Sequence, residues 1–231
     1  MISTTCSMTC ARVARRRGSD PARVLAGLVA SLGCALVLAA PAAASDASSE
    51  ARAVIEQTVT EVLAVLNNGD LTTEARLERL EKVAFARFDF DIVARLVLSR
   101  GWRRFSPAQR EEFIHEFTNY LANSYGKRID VYDQEQVEVT GARDEPRGDV
   151  TVHTRVVGGE YNGALIDYRM RKRDGEWRII DVILEGISLV SNYRDQFREV
   201  LSRSGPDGLL EKLREKNAAA GVDDGGPQAA S

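Results

Sequence analysis

The chain has 231 residues, 44% of them hydrophobic and 28% charged, with a formal net charge of −3. The first 44 residues contribute five arginines against one aspartate, so residues 45–231 carry about −7. This acidic balance argues against nucleic-acid binding, which depends on clustered lysine and arginine. Cys6, Cys10 and Cys34 all lie before residue 45, so the remainder can form no disulfide and must be stabilised by an ordinary core.

The first 44 residues have the three parts of a secretory signal peptide. Arginine-rich residues 12–23 precede an apolar run over residues 24–40, and Ala42-Ala43-Ala44 supplies the small-residue exit. The apolar run is shorter than the roughly 20 residues that a spanning helix needs. We therefore predict cleavage at the end of the alanine run and a periplasmic location. Lipid attachment at Cys34 is the alternative, although Ser31-Leu32-Gly33 before it makes a poor lipidation motif.

Helices dominate the first half of the predicted mature chain. Residues 45–68 have apolar side chains at helical spacing, and a second helix is predicted over residues 73–86. The short apolar segment 88–99 is predicted to be buried. The longest helix is predicted over residues 106–126, because Ser106 can cap its first turn and Pro107 suits the first helical position.

After Gln136 the apolar period changes from helical to two, which indicates β-strands. Four strands are predicted, near residues 137–140, 150–156, 164–170 and 177–185, and the last is apolar on both faces. Two closing helices are predicted over residues 188–202 and 206–216. The Gly-rich, acidic residues 218–231 are predicted to be disordered.

Together these elements predict an α+β fold. N-terminal helices come first, then a curved four-stranded antiparallel sheet covered by helices, and C-terminal helices close the concave face. The shape resembles the cone of nuclear-transport-factor-like folds. The predicted organisation is a signal peptide over residues 1–44, one domain over residues 45–217 and a tail over residues 218–231.

Three blocks of sequence resemble the MlaC/toluene-tolerance auxiliary family of periplasmic phospholipid-binding proteins. They are FDFDIVAR at residues 88–95, WRRFSPAQREEF at residues 102–113 and WRIIDVILEGISLVSNYRDQF at residues 177–197. The blocks occur in the expected order behind an export signal. The resemblance covers roughly residues 54–216.

The resemblance implies a phospholipid carrier with no enzymatic activity and no cofactor. It implies that the carrier acts in the periplasm of a Gram-negative envelope. There it would move lipid between an outer-membrane lipoprotein complex and an inner-membrane ABC transporter complex with its membrane-anchored substrate-binding subunit. Such a carrier helps to maintain the lipid asymmetry of the outer membrane. A different cargo, such as a hopanoid, stays an alternative.

A carrier of this kind needs an apolar cavity. Exposing an acyl chain to water costs about 0.8 kcal/mol per methylene, so two chains of ~16 carbons would cost on the order of 25 kcal/mol. The candidate lining consists of apolar side chains on the period-two faces of the strands and on the helical stripes opposite them. These are Val97, Phe113, Phe117, Leu121, Val137, Val139, Val150, Val152, Ile166, Tyr168, Met170, Val182 and Leu184. The alternative is that they fill a solid core.

Arginine and acidic residues supply the remaining candidates for chemistry. Arg103 and Arg194 are predicted near a lipid headgroup, because a guanidinium donates two parallel hydrogen bonds to phosphate. Asp181 interrupts an apolar strand, so it could act as a general base in an isomerase-like pocket or could be held by structural hydrogen bonds. Glu112 and His115 have the spacing of half a metal site, but no second pair accompanies them, and we predict no metal site.

The signal-peptide interpretation predicts that the mature protein begins at Ser45. The apolar run ends in three alanines, which suit a signal peptidase. Intact mass of the protein recovered from the periplasm measures the cleavage point directly. A diacylglyceryl adduct on Cys34 would contradict this prediction.

Overall fold

The computed structural model describes residues 45–126 and 135–220. The predicted signal peptide and residues 221–231 of the predicted tail lie outside the described residues. The helices in the described part are α1 (Asp46–Leu66), α2 (Thr73–Arg87), α3 (Phe90–Leu98), α4 (Pro107–Gly126) and α5 (Leu189–Ala220). None of these helices combines the length and the apolar character that crossing a membrane requires.

The sheet is antiparallel, with its strands in chain order. The strands are β1 (Gln136–Asp144), β2 (Val150–Val157), β3 (Leu165–Arg173), β4 (Glu176–Leu184) and β5 (Ile187–Ser188). The predicted α+β class and the four predicted strands are confirmed. The predicted strand number is wrong, because β5 pairs with the end of β4. A strand of two residues is too short for a period-two pattern to reveal it.

Side-chain caps begin the helices where the sequence places short polar residues. Ser45 Oγ accepts a hydrogen bond from Ser48 N at 3.1 Å, and Thr72 Oγ1 accepts one from Ala75 N at 3.2 Å. At α4, Ser106 Oγ accepts from Gln109 N while Gln109 Oε1 accepts from Ser106 N. This reciprocal pair is a capping box, which satisfies two backbone donors that the helix itself leaves free. The predicted start of α4 is therefore confirmed.

The two predicted closing helices are confirmed as the two segments of α5, which are separated by a kink at Gly205. Gly205 adopts φ 69° and ψ −170°, outside the helical region, and Pro206 follows inside the helix. Glycine tolerates the positive φ, and proline suits the first turn of the segment that resumes. α5 also continues to Ala220, so residues 218–220, which we predicted to be disordered, are helical.

The buried apolar side chains divide into two cores. The helical core joins α3, α4, α5 and the 3-10 turn Ser99–Arg104, with Phe113 fully buried among them. The sheet core joins α1 to β2, β3 and β4 through Ala51, Val152 and Met170. α4 packs mainly against α5, whereas α1 packs across β1, β2 and β4. Thus α1, rather than the closing helices, covers the face of the sheet, and α5 packs against β4 and β5.

A buried carboxylate links the end of the sheet to α5. Asp181 on β4 is 4% exposed. Its oxygens accept hydrogen bonds from Ser188 Oγ at 2.5 Å and from Val190 N at 3.0 Å. Ser188 Oγ in turn accepts from Ser191 N at 3.0 Å. Asp181 therefore accepts from a backbone N–H that the first turn of α5 leaves without a partner within the helix. This geometry explains a carboxylate inside an otherwise apolar strand.

Replacing Asp181 with alanine should destabilise the protein. Asp181→Ala leaves the Val190 N–H and the Ser188 hydroxyl without their acceptor, which should lower the free energy of unfolding by about 2 to 3 kcal/mol. Urea denaturation measures this change. The control is Asp195→Ala on α5, which removes only an exposed ion pair with Arg198 and should cost about 0.5 kcal/mol or less. Equal effects of the two variants would contradict the structural role of Asp181.

Candidate functional site

An apolar cavity of about 510 Å³ lies between α1 and one end of the sheet. This is the end where β1 and β3 begin and where β2 and β4 finish. α2 and α4 each contribute one side chain, Leu80 and Tyr125. The lining residues are Ile55, Thr58, Val59, Val62, Leu63, Leu66, Leu80, Tyr125, Glu135, Val137, Val156, Tyr161, Ala164, Leu165, Ile166, Tyr168, Leu184 and Glu185.

The wall formed by α1 follows from helical periodicity. Ile55, Val59, Val62 and Leu66 recur every three or four residues, which places them on one face of the helix. Thr58 also lines the cavity, but its hydroxyl donates to the Val54 carbonyl at 2.7 Å, so the polar atom is satisfied within the helix. The wall therefore presents carbon atoms to the cavity.

The opposite wall uses alternate residues of the strands. Ile166 and Tyr168 point to the same face of β3, and Leu184 is the register partner of Ile166 on β4. Burial raises the pKa of Tyr168 to about 12. Its phenol is therefore neutral at physiological pH, which suits an apolar surround.

The mouth of the cavity carries exposed rings and the exposed carboxylate of Glu185, whereas the second lining carboxylate, Glu135, is buried. Tyr125, Tyr161 and Leu165 are 38%, 47% and 46% exposed, unusually high for large apolar side chains. Glu185 Oε1 accepts a hydrogen bond from Leu165 N at 2.6 Å. Glu135 is 6% exposed and lies against Gly159. The lining is thus apolar apart from the buried Glu135, and Glu185 stands at its edge.

The structure separates the predicted lining residues into three groups. Val137, Ile166, Tyr168 and Leu184 line the cavity. The predicted residues that pack in or against the sheet core instead are Val139, Val150, Val152, Met170 and Val182. The predicted residues that pack in or against the helical core are Val97, Phe113, Phe117 and Leu121.

Packing explains why these last two groups do not line the cavity. The N-terminal half of α1 lies on Val150, Val152 and Met170, and each of the three is 1% exposed or less. On α4, Phe113 and Phe117 contact Phe197 of α5, with ring centroids 5.8 and 5.3 Å apart. The apolar stripe of α4 therefore faces another helix, and the expectation that it faces the strands is wrong.

The arginines predicted at a headgroup lie elsewhere. Arg194 Nε donates to the Leu96 carbonyl at 2.9 Å, which ties α5 to α3. Arg103 is exposed in the 3-10 turn before α4. Neither side chain lines the cavity, so the geometry gives no support to the headgroup role that we predicted for them.

The candidate catalytic and metal-binding residues are also away from the cavity. Asp181 is held by the hydrogen bonds described above and does not line it. Glu112 pairs with Arg214, with Oε1 2.5 Å from Nη2, and His115 contacts Asn119. Among residues 45–126 and 135–220, no group of three or more His, Cys, Asp or Glu side chains could hold a metal ion.

Sequence reasoning missed the α1 wall and the two carboxylates that line the cavity, Glu135 and Glu185. The α1 stripe was visible as helical periodicity, but the same signal is given by a helix that packs on a solid core. Glu135 and Glu185 are 50 positions apart in the sequence and line one cavity because β1 begins and β4 finishes at the same end of the sheet. No local motif could have paired them.

An open apolar cavity between a helix and an antiparallel sheet defines a ligand-binding α+β protein. A family model described as "MlaC protein" matches residues 56–215. The chain belongs to the MlaC family, which confirms the resemblance seen in the sequence.

Individual relatives agree with this assignment. The chain is 26% identical over 187 residues to the toluene tolerance protein ttg2D of Pseudomonas putida, covering 76% of this chain and 84% of the relative. It is 24% identical over 125 residues to the intermembrane phospholipid transport system binding protein MlaC of Haemophilus influenzae, covering 52% of this chain and 58% of that protein. The solved phospholipid-binding protein from Ralstonia solanacearum, in complex with a phospholipid, is similar with a TM-score of 0.68 and 25% identity. The match covers 74% of this chain and 99% of the Ralstonia chain.

The difference between the cavity wall and the sheet core predicts different responses to a buried charge. Val152→Asp puts a carboxylate into the closed sheet core and should cost several kcal/mol, enough to unfold much of the protein. Ile166→Asp puts the same group beside an opening to water and should cost only about 1 kcal/mol. Urea denaturation compares the two, with Ile166→Leu as the uncharged control. Equal destabilisation by the two aspartates would show that Ile166 also belongs to a solid core.

Proposed function

We propose that this protein is a non-catalytic periplasmic carrier that holds the acyl chains of a phospholipid in the cavity between α1 and the sheet. The observation that carries the proposal is the largely apolar interior behind a mouth of exposed rings and the carboxylate of Glu185. Its volume of about 510 Å³ falls within the ~300 to 1,000 Å³ typical of ligand sites. The Ralstonia relative, which was solved with a phospholipid, supports this choice of ligand.

The arrangement of the cavity suits an amphipathic molecule. Acyl chains placed against Val59, Val62 and Ile166 would leave water, at a gain of about 0.8 kcal/mol per methylene. The headgroup would stay at the mouth, where polar atoms reach solvent. When the lipid passes to another apolar site, its acyl chains leave one apolar environment for a similar one. The carrier therefore needs no chemical step of its own.

The proposed role beyond lipid binding rests on the relatives and on the predicted signal peptide. The Haemophilus relative is named as the binding protein of an intermembrane phospholipid transport system. We infer the same kind of work here: the carrier crosses the periplasm between an outer-membrane lipoprotein complex and an inner-membrane ABC transporter complex with its membrane-anchored substrate-binding subunit. Such transport would maintain the lipid asymmetry of the outer membrane.

The proposal predicts that the mature protein purifies with bound phospholipid, and that filling the cavity removes it. Ala164 is a small lining residue, so Ala164→Trp should lower lipid occupancy at least about fivefold by occupying the space of the acyl chain. Native mass spectrometry followed by lipid extraction measures the occupancy and identifies the lipid. Ala53→Trp is the matched control, because Ala53 is exposed on α1 outside the cavity.

Three results would contradict the proposal. The purified protein could carry no lipid even after incubation with vesicles. Ala53→Trp could lose as much lipid as Ala164→Trp, which would place the ligand elsewhere. Extraction could yield a fused-ring lipid such as a hopanoid in place of a phospholipid, which would keep the cavity and change the cargo.

A further inference from the structure

A small pocket of about 40 Å³ lies between the helical core and β4. Its lining includes Val97 of α3, Leu121 of α4 and Val182 of β4. Asp181 also lines the small pocket, but its carboxylate already accepts hydrogen bonds from β5 and from the start of α5. A water molecule in such a space would need about two to four polar partners. The small pocket therefore suits an apolar group better than water.

The small pocket adjoins the cavity along α4 and β4. On α4, Leu121 of the small pocket lies one helical turn before Tyr125 of the cavity, so the two side chains share a face of the helix. On β4, Val182 of the small pocket and Leu184 of the cavity are two positions apart. They therefore point to the same face, roughly 7 Å apart along the strand. Both elements lead from the lining of the cavity into the lining of the small pocket.

A contact between two tyrosines joins the linings of these two spaces. The hydroxyl oxygen of Tyr125, which lines the cavity, is 3.4 Å from that of Tyr193, which lines the small pocket. This distance exceeds the roughly 2.5 to 3.0 Å usual for hydrogen bonds between hydroxyl groups, so the contact is weak. Tyr125 is also 38% exposed and is part of neither core. Its side chain can therefore change rotamer without unpacking the cores.

We infer that the end of an acyl chain passes Tyr125 and occupies the small pocket when the protein is loaded. The inference rests on the proposed function, since it assumes that acyl chains occupy the cavity. A methylene group is close in size to a water molecule, whose share of liquid volume is about 30 Å³. The small pocket, at about 40 Å³, therefore accommodates the last one or two carbon groups of a chain. These groups supply the packing contacts that an empty apolar space lacks.

The experiment is a competition between chain lengths within one membrane. Mature protein freed of lipid is incubated with vesicles that contain equal amounts of dimyristoleoyl, dipalmitoleoyl, dioleoyl and dieicosenoyl phosphatidylcholine. The protein is then re-isolated, and its bound lipids are quantified by mass spectrometry. The headgroup is constant, so the ratio of the longest to the shortest lipid on the protein reports the space available to the chain ends. This ratio does not depend on the fraction of protein that is folded.

Val182→Phe fills the small pocket and should lower this ratio at least about fourfold relative to wild-type protein, because one methylene left in water costs ~0.8 kcal/mol. Val139→Phe is the matched control. It makes the same change at a half-buried position of β1 that lines neither the cavity nor the small pocket, and it should leave the ratio unchanged. Leu121→Ala enlarges the small pocket, so the ratio should not fall.

The outcomes separate the inference from the proposed function. An unchanged ratio in Val182→Phe, or an equal fall in Val139→Phe or Leu121→Ala, overturns occupation of the small pocket and leaves the carrier in place. If Val182→Phe does not fold, Leu121→Phe takes its place, because it adds bulk from the α4 side and carries the same expectation. Absence of phospholipid from every sample overturns the carrier and the inference together.

Discussion

The packing of α1 across the sheet is the contact on which the rest of the structure depends. At one end of this contact, the bulky Trp177 and Met170 fill the space under α1 and close the sheet core. At the other end, the space between α1 and the strands is the cavity, with Val137, Ile166 and Leu184 on the strand side. The cavity is thus a continuation of the space that the sheet core fills, and it is left without protein atoms at this end.

The helical core makes this unfilled end possible. Its aromatic side chains pack against one another, with ring contacts among Phe113, Phe117, Tyr193 and Phe197. α4 buries Phe113 and Phe117 against Phe197 of α5, so these side chains do not fill the cavity. An apolar void lacks the dispersion contacts that a filled core would have. A ligand that fills it contributes the missing contacts and shifts the equilibrium toward the folded state.

Sequence periodicity predicted the elements well and their partners poorly. The capping box at Ser106 and the alternation in β2 and β3 are local signals, and the structure has both. The apolar stripe on α4 was equally clear. Such a stripe identifies the apolar face of a helix, but it does not identify the element that packs against that face. That choice is made by long-range packing. The same limit applies to the cavity, which Glu135 and Glu185 both line only because of the sheet topology.

The second helix has a further consequence. α2 has no buried residue, contributes Leu80 alone to the cavity, and joins α1 partly through an ion pair of Arg87 with Glu61, 2.7 Å between Nη2 and Oε1. A segment with so few buried contacts detaches at a small fraction of the free energy of global unfolding. Warming should therefore loosen this wall before the two cores melt. For the proposed carrier, leakage of cargo and melting of the scaffold would then be two events at different temperatures, and the first would set its thermal limit.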